Sequence, residues 1–349
     1  MIKFCRPQKI ALDDGRLLFS AVSHVGHRLI LVGIHYFDRP IDYDKVALRI
    51  VPQPPVPIHF NAYVRKEYEP CVVLSAEVGE ASITVEISYE GKAWSVPLER
   101  EAIRHAHWGL MTLFKDDYRL LPEFLRYYSA LGVSQFSLYY NGVLNSVDWN
   151  FLRVSEAARD ADVTVFEWDV PYWWRLGAPV SVPNYDKQGY QHHAQPMAMN
   201  HHLHIAKAAN DYTFFVDLDE YIFTPKPILD RCCAIGLPGM ILQCWFTVLE
   251  DDASYASFSL TENVALLVSE TGQGMHRTKC LIKPSEVDLM GIHVPMMHAD
   301  KEFTFLNGFF HICGFVENPR PESVPKTLIR STAAQFVRDR FGAPRNLLS

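Results

Sequence analysis

Three carboxylates that follow an apolar segment in the middle of the chain have the clearest potential for chemistry. Phe214-Phe215-Val216 leads directly into Asp217-Leu218-Asp219-Glu220. In an extended chain Asp217 and Asp219 point to the same side, because strand side chains alternate with a period of two. Two carboxylates on one side can hold a hard divalent cation that keeps coordination positions open for phosphate oxygens. The alternative is a solvated turn after a core strand, since Asp is common in turns.

The segments around this cluster predict an α/β region with a mostly parallel sheet. Apolar strands are predicted at 108–114, 135–140, 163–168 and 212–216, and helices at 120–131, 148–161 and 195–209. Strands that alternate with helices indicate βαβ units. Ligands of such sheets bind beyond the carboxyl ends of the strands, which is where the carboxylates lie.

The first hundred residues predict an all-β domain. Short apolar or alternating segments are separated by turn signals such as Asp13-Asp14-Gly15 and Glu90-Gly91-Lys92. Six or seven strands in this length indicate a β-sandwich, which we expect to be immunoglobulin-like. The predicted organisation is therefore a sandwich at 1–100, an α/β domain at 105–320 and a basic helical tail at 321–349.

The tail carries six basic and two acidic residues from position 320 onward. Within it, 325–341 has a partly amphipathic helical pattern. Such a helix either packs on the domain or touches an anionic membrane surface, because apolar burial and charge attraction act together there. A peripheral contact with the inner face of a membrane is the alternative that this pattern leaves open.

Composition narrows the class of protein. The 349 residues are 48% apolar and 21% charged, and no apolar run approaches the roughly 18 residues of a spanning helix. The first residues lack the layout of a secretory signal, and the seven cysteines include no C-x-x-C pair, so we expect a cytoplasmic protein with reduced thiols. The segment between the first hundred residues and the tail has a net charge of −11, which argues against nucleic-acid binding.

Four blocks of sequence together resemble a known enzyme family. They are Thr112–Asp117 with Leu121–Tyr128 and Leu131–Val133; Phe136–Asn141; Gln191, Gln195 and Asn200 through Asp217–Tyr221; and Lys279–Pro284 through Gly291–His293. In order and spacing, the stretch from Trp108 to His293 resembles glycosyltransferases of the GT-A fold, in particular glycosyltransferase family 92 and the neighbouring family-2-like enzymes. The resemblance covers just over half of the chain.

The resemblance implies an inverting, metal-dependent transferase that moves a sugar from a UDP-sugar, with galactose favoured, to a glycan or glycolipid acceptor. It implies that Asp217, Asp219 and His293 bind Mn²⁺ or Mg²⁺ on the diphosphate. The residues that it implies for the nucleotide-sugar donor are Thr112, Lys115, Asp117, Asn141, Asp169, Gln195 and Lys279.

An inverting transfer needs a general base that deprotonates the acceptor hydroxyl. The apolar segment 240–248 predicts a strand that ends in Leu249-Glu250-Asp251-Asp252, so Glu250 and Asp251 are the candidate bases. Relatives often carry a glycine after the tryptophan of this strand, whereas Trp245-Phe246-Thr247 has none. We therefore expect a different loop and acceptor here. A solvated acidic turn is the alternative.

Two other features allow competing interpretations. The histidines between 192 and 204 could form a metal site, but adjacent pairs point in different directions and no H-E-x-x-H motif is present, so packing is predicted. The Tyr172-Trp173-Trp174 loop either packs internally or stacks on a sugar. At the level of function, the rivals are a metal-dependent hydrolase and a carbohydrate-binding protein with a degenerate transferase domain.

Overall fold

The computed structural model describes residues 1–52, 56–65, 69–79, 81–175, 177–180, 190–249, 265–269, 278–297, 302–313 and 328–332. Its α-helices are α1 (Leu121–Leu131), α2 (Asn150–Val154), α3 (Ala194–Ala209) and α4 (Lys226–Ala234). Its strands are β1 (Ile2–Cys5), β2 (Gln8–Ala11), β3 (Leu17–Val25), β4 (Arg28–Gly33), β5 (Ala47–Val51), β6 (His59–Arg65), β7 (Glu69–Glu77), β8 (Ile83–Tyr89), β9 (Lys92–Leu98), β10 (Ala106–Phe114), β11 (Gln135–Tyr140), β12 (Asp162–Glu167), β13 (Trp173–Arg175), β14 (Ala178–Val180), β15 (Tyr190–His192), β16 (Asn210–Phe215), β17 (Glu220–Ile222), β18 (Gly239–Leu249), β19 (Ala265–Ser269), β20 (Thr278–Ile282), β21 (Val287–Met290), β22 (Pro295–Met297), β23 (Thr304–Cys313) and β24 (Leu328–Thr332).

A mixed sheet of eleven strands organises the α/β region. Its main order is β1-β12-β11-β10-β16-β20-β18-β19-β24, and β23 pairs with both β17 and β18. The strands from β1 to β16 in this order are mutually parallel, so their carboxyl ends meet at one edge. β20 then runs antiparallel to β16. The predicted, mostly parallel sheet with flanking helices is confirmed.

Local sequence explains where α1 ends. The residue after this helix is Gly132, which adopts the left-handed conformation with φ 114°. Its amide bonds back to the carbonyls of Tyr128 and Ser129, closing the helix as a glycine cap does. β11 then starts at Gln135, as predicted. The helix predicted at 148–161 is wrong in extent, because α2 stops at Val154 and a turn follows.

The N-terminal region forms two further sheets. One has the order β2-β3-β4-β7-β6 and the other β5-β8-β9. The all-β prediction is confirmed, but the immunoglobulin-like assignment is wrong. An immunoglobulin sheet does not keep the first three strands together. Here Gly15 and Gly26, both with positive φ, close tight turns that pair β2, β3 and β4 in sequence.

Two predicted boundaries also differ from the structure. β1 lies in residues assigned to the sandwich but pairs in parallel with β12, so it extends the central sheet. β24 lies in the predicted helical tail but is a strand that pairs antiparallel with β19. Hydrogen bonding to an available sheet edge has overridden the helical pattern at these five residues. No helix among the described residues has the length and apolarity needed to cross a membrane.

Helix α3 is buried between the central sheet and the N-terminal sheets. Its histidines His201, His202 and His204 are each no more than 1% exposed. The His201 ring bonds Ser23 Oγ at 2.9 Å through Nε2 and Tyr139 OH at 2.8 Å through Nδ1, which joins β3 to β11. Burial lowers the pKa of His201 to about 3, so the ring is neutral in the folded protein. Packing, rather than metal binding, explains these histidines.

The buried histidines predict an acid-sensitive fold. Burial also lowers the pKa values of His193 and His202 to about 3, whereas an unfolded histidine titrates near 6.5. The unfolded chain therefore binds more protons below pH 6.5, and each such histidine costs up to about 1.4 kcal/mol of stability per pH unit between about 6.5 and 3. Urea unfolding from pH 7 to pH 4.5 should show this loss.

The His201→Gln variant should be less stable at pH 7 but lose stability less steeply on acidification. The control is His59→Gln, at an exposed position of β6, which should reproduce the wild-type slope. An unchanged slope in His201→Gln would contradict a neutral, buried His201.

Candidate active site

A tight turn after β16 presents the three carboxylates at the carboxyl edge of the sheet. The Glu220 amide bonds the Asp217 carbonyl at 3.1 Å, and the Asp217 amide bonds Glu220 Oε2 at 2.7 Å. The chain therefore reverses from β16 into β17. Asp217 and Asp219 do not continue an extended strand, so the alternation assumed from sequence does not position them. The turn brings Glu220 to Lys279 of β20 and to His311 of β23.

Strand register brings two basic side chains to this turn. β20 pairs with β16 so that Cys280 lies opposite Phe215, which places Lys279 beside the start of the turn. β23 pairs with β17 so that His311 lies directly opposite Glu220. Lys279 and His311 lie about 60 and 90 positions from Glu220 along the chain. Strand pairing is what brings them to the carboxylates.

Lys279 is the buried counter-ion of the cluster. Its side chain is 2% exposed, and Nζ lies 2.6 Å from Asp217 Oδ2 and 3.2 Å from Glu220 Oε2. Burial opposes the charge, but these two carboxylates together raise the lysine pKa above its usual value. Burial also works against ionised Glu220, yet Lys279 and His311 lower its pKa to about 2. Lys279 and Glu220 are therefore both ionised.

Asp219 is less well compensated. Its Oδ2 lies 3.7 Å from His311 Nε2, while His311 Nδ1 lies 3.3 Å from Glu220 Oε1. Burial raises the pKa of Asp219 to about 6 although His311 opposes the shift. When all three carboxylates are ionised they face one lysine and one imidazole, so the cluster then carries excess negative charge whether or not the imidazole is protonated. Ligand atoms of Asp219, Glu220 and His311 all lie within 4.8 Å of one another.

Gln195 joins the cluster from the start of α3. Its Nε2 donates to Asp217 Oδ1 at 3.2 Å, opposite the oxygen that Lys279 binds. Both oxygens of Asp217 are therefore held, and its side chain is still 34% exposed. Of the residues predicted from sequence, the structure brings Asp217, Asp219, Gln195 and Lys279 together. Lys279 was predicted to contact the nucleotide-sugar donor, and in the structure its ammonium contacts the carboxylates of the acidic turn.

Three predicted donor contacts have other partners or surroundings. Thr112 is completely buried within β10, so its hydroxyl does not line an open cleft. The Asn141 side-chain amide donates to the carbonyls of Trp168 and Val170, each at 2.8 Å, and thereby ties the end of β11 to the segment after β12. Asp169 is exposed and pairs with Lys9 of β2 at 3.3 Å.

Lys115 and Asp117 follow β10 at the same sheet edge as the acidic turn. β10 pairs in parallel with β16, with Met111 opposite Phe215, so the segments after both strands are neighbours. Lys115 is exposed there and Asp117 is half-buried. The predicted bases Glu250 and Asp251 lie outside the described residues. The strand before them, β18, is confirmed and extends to Leu249.

His293 is not part of the compact cluster among the described side chains. It lies beside Thr278, whose Oγ1 donates to the His293 carbonyl at 2.8 Å. The cluster instead contains His311 and Glu220, which the sequence prediction did not include among the metal ligands. Glu220 adjoins the Asp-x-Asp pair and could have been included. The signal for His311 is one polar residue in the apolar run Phe309-Phe310-His311-Ile312, but its partner becomes evident only from register.

Comparison with known proteins bears on the same region. The family model described as "Glycosyltransferase family 92" matches residues 111–311, more than half of the chain and a span that includes the whole cluster. The chain belongs to glycosyltransferase family 92. The family assignment made from sequence is confirmed. The match ends at His311, the residue opposite Glu220.

Two solved structures that align with this chain are distant likenesses. A crystal structure of S. aureus TarS 1–349 aligns with 11% identity over 51% of this chain and 47% of that chain, with a TM-score of 0.29. The structure of amylomaltase from Corynebacterium glutamicum aligns with 14% identity over 36% of this chain and 21% of that chain, with a TM-score of 0.17. The search of curated proteins found no significant match.

The buried ammonium predicts a large effect of removing Lys279. Lys279→Met leaves Asp217 and Glu220 without their counter-ion, and breaking a buried ion pair in this way costs about 3–5 kcal/mol. Urea unfolding should show that loss. Lys283→Met is the matched control, because Lys283 is partly exposed and pairs with Glu286 at i,i+3, where about 0.3–0.5 kcal/mol is at stake.

The double variant Lys279→Met with Glu220→Gln should recover part of the lost stability, since one uncompensated charge is gone. Equal, small losses in Lys279→Met and Lys283→Met would contradict the counter-ion role.

Proposed function

We propose that this family 92 enzyme is a metal-dependent transferase that moves a sugar from a nucleotide-sugar to a glycan or glycoconjugate acceptor. The observation that carries the proposal is the excess negative charge of Asp217, Asp219 and Glu220 around one buried lysine, at the carboxyl edge of a parallel sheet. Such an edge is where α/β proteins bind their ligands. Burial raises the pKa of Asp219 although His311 Nε2 lies 3.7 Å from its Oδ2, so the imidazole does not fully compensate this buried carboxylate.

The donor set fits a divalent cation. Asp219 and His311 would hold it, with Glu220 supporting both, since their ligand atoms lie within 4.8 Å of one another. Carboxylates suit Mn²⁺ and Mg²⁺ alike, but an imidazole ligand favours Mn²⁺, because Mg²⁺ prefers oxygen ligands. When bound, the cation would supply charge neutralisation for a diphosphate leaving group. Within this proposal His311 takes the place that the resemblance gave to His293.

The chain's own residues would orient the donor. Lys279 and Gln195 each hold one oxygen of Asp217, so this partly exposed carboxylate presents a fixed face to the edge of the sheet. Hydrogen bonding to a sugar or ribose hydroxyl is the chemistry that such a fixed carboxylate offers. Lys115 and Asp117, on the segment after the neighbouring strand, are proposed to contact the nucleotide.

We further propose transfer with inversion, as the family resemblance implies. An acceptor oxygen attacks the anomeric carbon, the bond from that carbon to the diphosphate breaks, and a carboxylate takes the acceptor's proton. Glu250 or Asp251, directly after β18, is proposed as that base. UDP-galactose is the donor favoured by the resemblance.

Nucleotide binding tests this proposal. The melting temperature should be measured with UDP, GDP and CDP, each with Mn²⁺ and with EDTA. A ligand that binds only the folded state stabilises it by mass action, by about 2.7 kcal/mol at a ligand concentration one hundred times Kd. The melting temperature rises as a result. We expect a shift for UDP with Mn²⁺ that EDTA abolishes. The absence of any nucleotide shift would contradict the proposal.

The Asp219→Asn variant should lose the metal-dependent shift, because the amide cannot replace the charge. Asp230→Asn is the matched control, since the Asp230 side chain on α4 is 42% exposed and pairs with Lys226. Its shift should equal that of the wild type.

The two histidines make a separate prediction. His311→Ala should weaken Mn²⁺ affinity about tenfold or more, which corresponds to a loss of about 1.4 kcal/mol of binding free energy, because it removes a proposed ligand. His293→Ala should change the affinity less than about threefold, because His293 lies outside the compact cluster of described side chains. Calorimetric titration of Mn²⁺ alone measures both variants. The reverse order of effects would restore His293 as the ligand.

A further inference from the structure

The segment between β12 and α3 forms a small three-stranded sheet with the order β14-β13-β15. We call it the aromatic hairpin, comprising Tyr172–Arg175, Gly177–Val180 and Tyr190–His192. Sequence left it undecided between internal packing and sugar stacking. Its Trp173 and Trp174 are at most 5% exposed, which shows that these two tryptophans pack internally. The hairpin nevertheless has a direct connection to the acidic turn.

That connection runs through one hydroxyl. Tyr172 OH donates to Gln195 Oε1 at 3.2 Å, and Gln195 Nε2 donates to Asp217 Oδ1 at 3.2 Å. Because the carboxylate only accepts, it requires the amide nitrogen to face Asp217, and the tyrosine hydroxyl holds the amide oxygen on the other side. Were the amide reversed, its oxygen would meet the carboxylate oxygen and the interaction would become repulsive.

The backbone at this point is also held, by the hairpin and by the segment that follows β12. The His193 amide bonds the Tyr172 carbonyl at 3.0 Å, and Trp168 Nε1 bonds the Ala194 carbonyl at 2.9 Å. Both contacts fix the residues immediately before Gln195. The start of α3 therefore cannot move independently of Tyr172.

The N-terminal β region contacts the other side of the hairpin. The Tyr36 ring contacts Trp174 edge-on at 4.8 Å and His193 at 5.1 Å between centroids. Trp174 Nε1 donates to Asp38 Oδ1 at 3.3 Å, and Arg39 Nη2 donates to the Gly177 carbonyl at 3.0 Å. Residues 36–39 thus hold both the hairpin and the residue that precedes α3.

We propose that Tyr172 is a positioning residue that orients Gln195 against Asp217, and that residues 36–39 secure this pair through the aromatic hairpin. The proposal rests on the proposed function of Asp217 as a donor-facing carboxylate. It assigns the N-terminal β region a role in donor binding without direct contact to the donor. The expected consequence is a loss of donor affinity in variants that leave the fold intact.

A double-mutant cycle tests the tyrosine. The affinity for UDP with Mn²⁺ is measured by calorimetry in the full chain for Tyr172→Phe, Gln195→Ala and the double variant. Loss of one hydrogen bond should weaken binding about three- to tenfold in Tyr172→Phe. Because the tyrosine acts through Gln195, adding Tyr172→Phe to Gln195→Ala should change the affinity less than about twofold.

The control for hydroxyl removal is Tyr89→Phe, in β8 of the three-stranded N-terminal sheet, which should bind UDP as the wild type does. Wild-type affinity in Tyr172→Phe, or fully additive effects in the double variant, would overturn the proposal. Melting temperatures of all variants establish that the fold is retained.

The N-terminal arm is tested with Arg39→Ala. It should weaken UDP binding about twofold or more, and this effect should disappear in the Gln195→Ala background. Arg49→Ala is the matched control, because Arg49 is exposed in β5 and pairs with Glu86. Equal affinities of Arg39→Ala and Arg49→Ala would overturn the role of residues 36–39.

Failure of the proposed function is distinguished by a measurement that needs no donor. The side-chain amide signal of Gln195 in the ¹⁵N spectrum, assigned by its loss in Gln195→Ala, should shift in Tyr172→Phe and stay in place in Tyr89→Phe. A wild type that does not bind UDP but shows this shift contradicts donor binding and retains the tyrosine contact. An unmoved signal overturns the contact itself.

Discussion

The buried ammonium of Lys279 is the interaction on which the site depends. Two carboxylates from one turn share it at 2.6 and 3.2 Å with almost no access to water. Desolvating Lys279 and Glu220 is unfavourable unless their geometry is excellent and their remaining hydrogen bonds are satisfied. The turn after β16 meets this condition, because Glu220 also accepts from the Asp217 amide. The turn is consequently locked by its own charges, and Asp219 is left as the carboxylate with the weakest compensation.

This arrangement explains why the acidic turn and the surrounding sheet must form together. Lys279 is supplied by β20 and His311 by β23, and both strands reach the turn only through correct pairing with β16 and β17. A one-residue slip would direct either side chain to the opposite face of the sheet. Register is therefore strongly specified here, since a slip would leave the buried carboxylate of Glu220 without the Lys279 ammonium. The same pairing that satisfies the backbone thus assembles the site.

Sequence predicted those parts of the molecule that depend on local pattern. β11 has the predicted bounds, and β10 ends at Phe114 as predicted although it starts two residues earlier. Asp217 and Asp219 stand out because carboxylates follow an apolar strand. His311 was not assigned because its partner Glu220 is distant in sequence and adjacent only through antiparallel pairing. Thr112 and Asn141 matched family positions. Thr112 is nevertheless enclosed by the core, and the Asn141 side-chain amide donates to two backbone carbonyls. A residue type and position do not reveal which partner a side chain has already bonded.

The N-terminal region shows why predicted domain boundaries can conceal a shared structure. Its short strands can be recognised in the sequence without reference to the α/β region. Its surface is nevertheless shared with that region, because α3 packs against both the N-terminal sheets and the central sheet. His201 bonds Ser23 on one side and Tyr139 on the other, and all three residues are buried. α3 carries Gln195 at its first turn, so the helix that fills the space between the sheets also delivers a side chain to Asp217. The position of that side chain is consequently set from both directions, by the central sheet through Lys279 and the acidic turn, and by the N-terminal region through the aromatic hairpin.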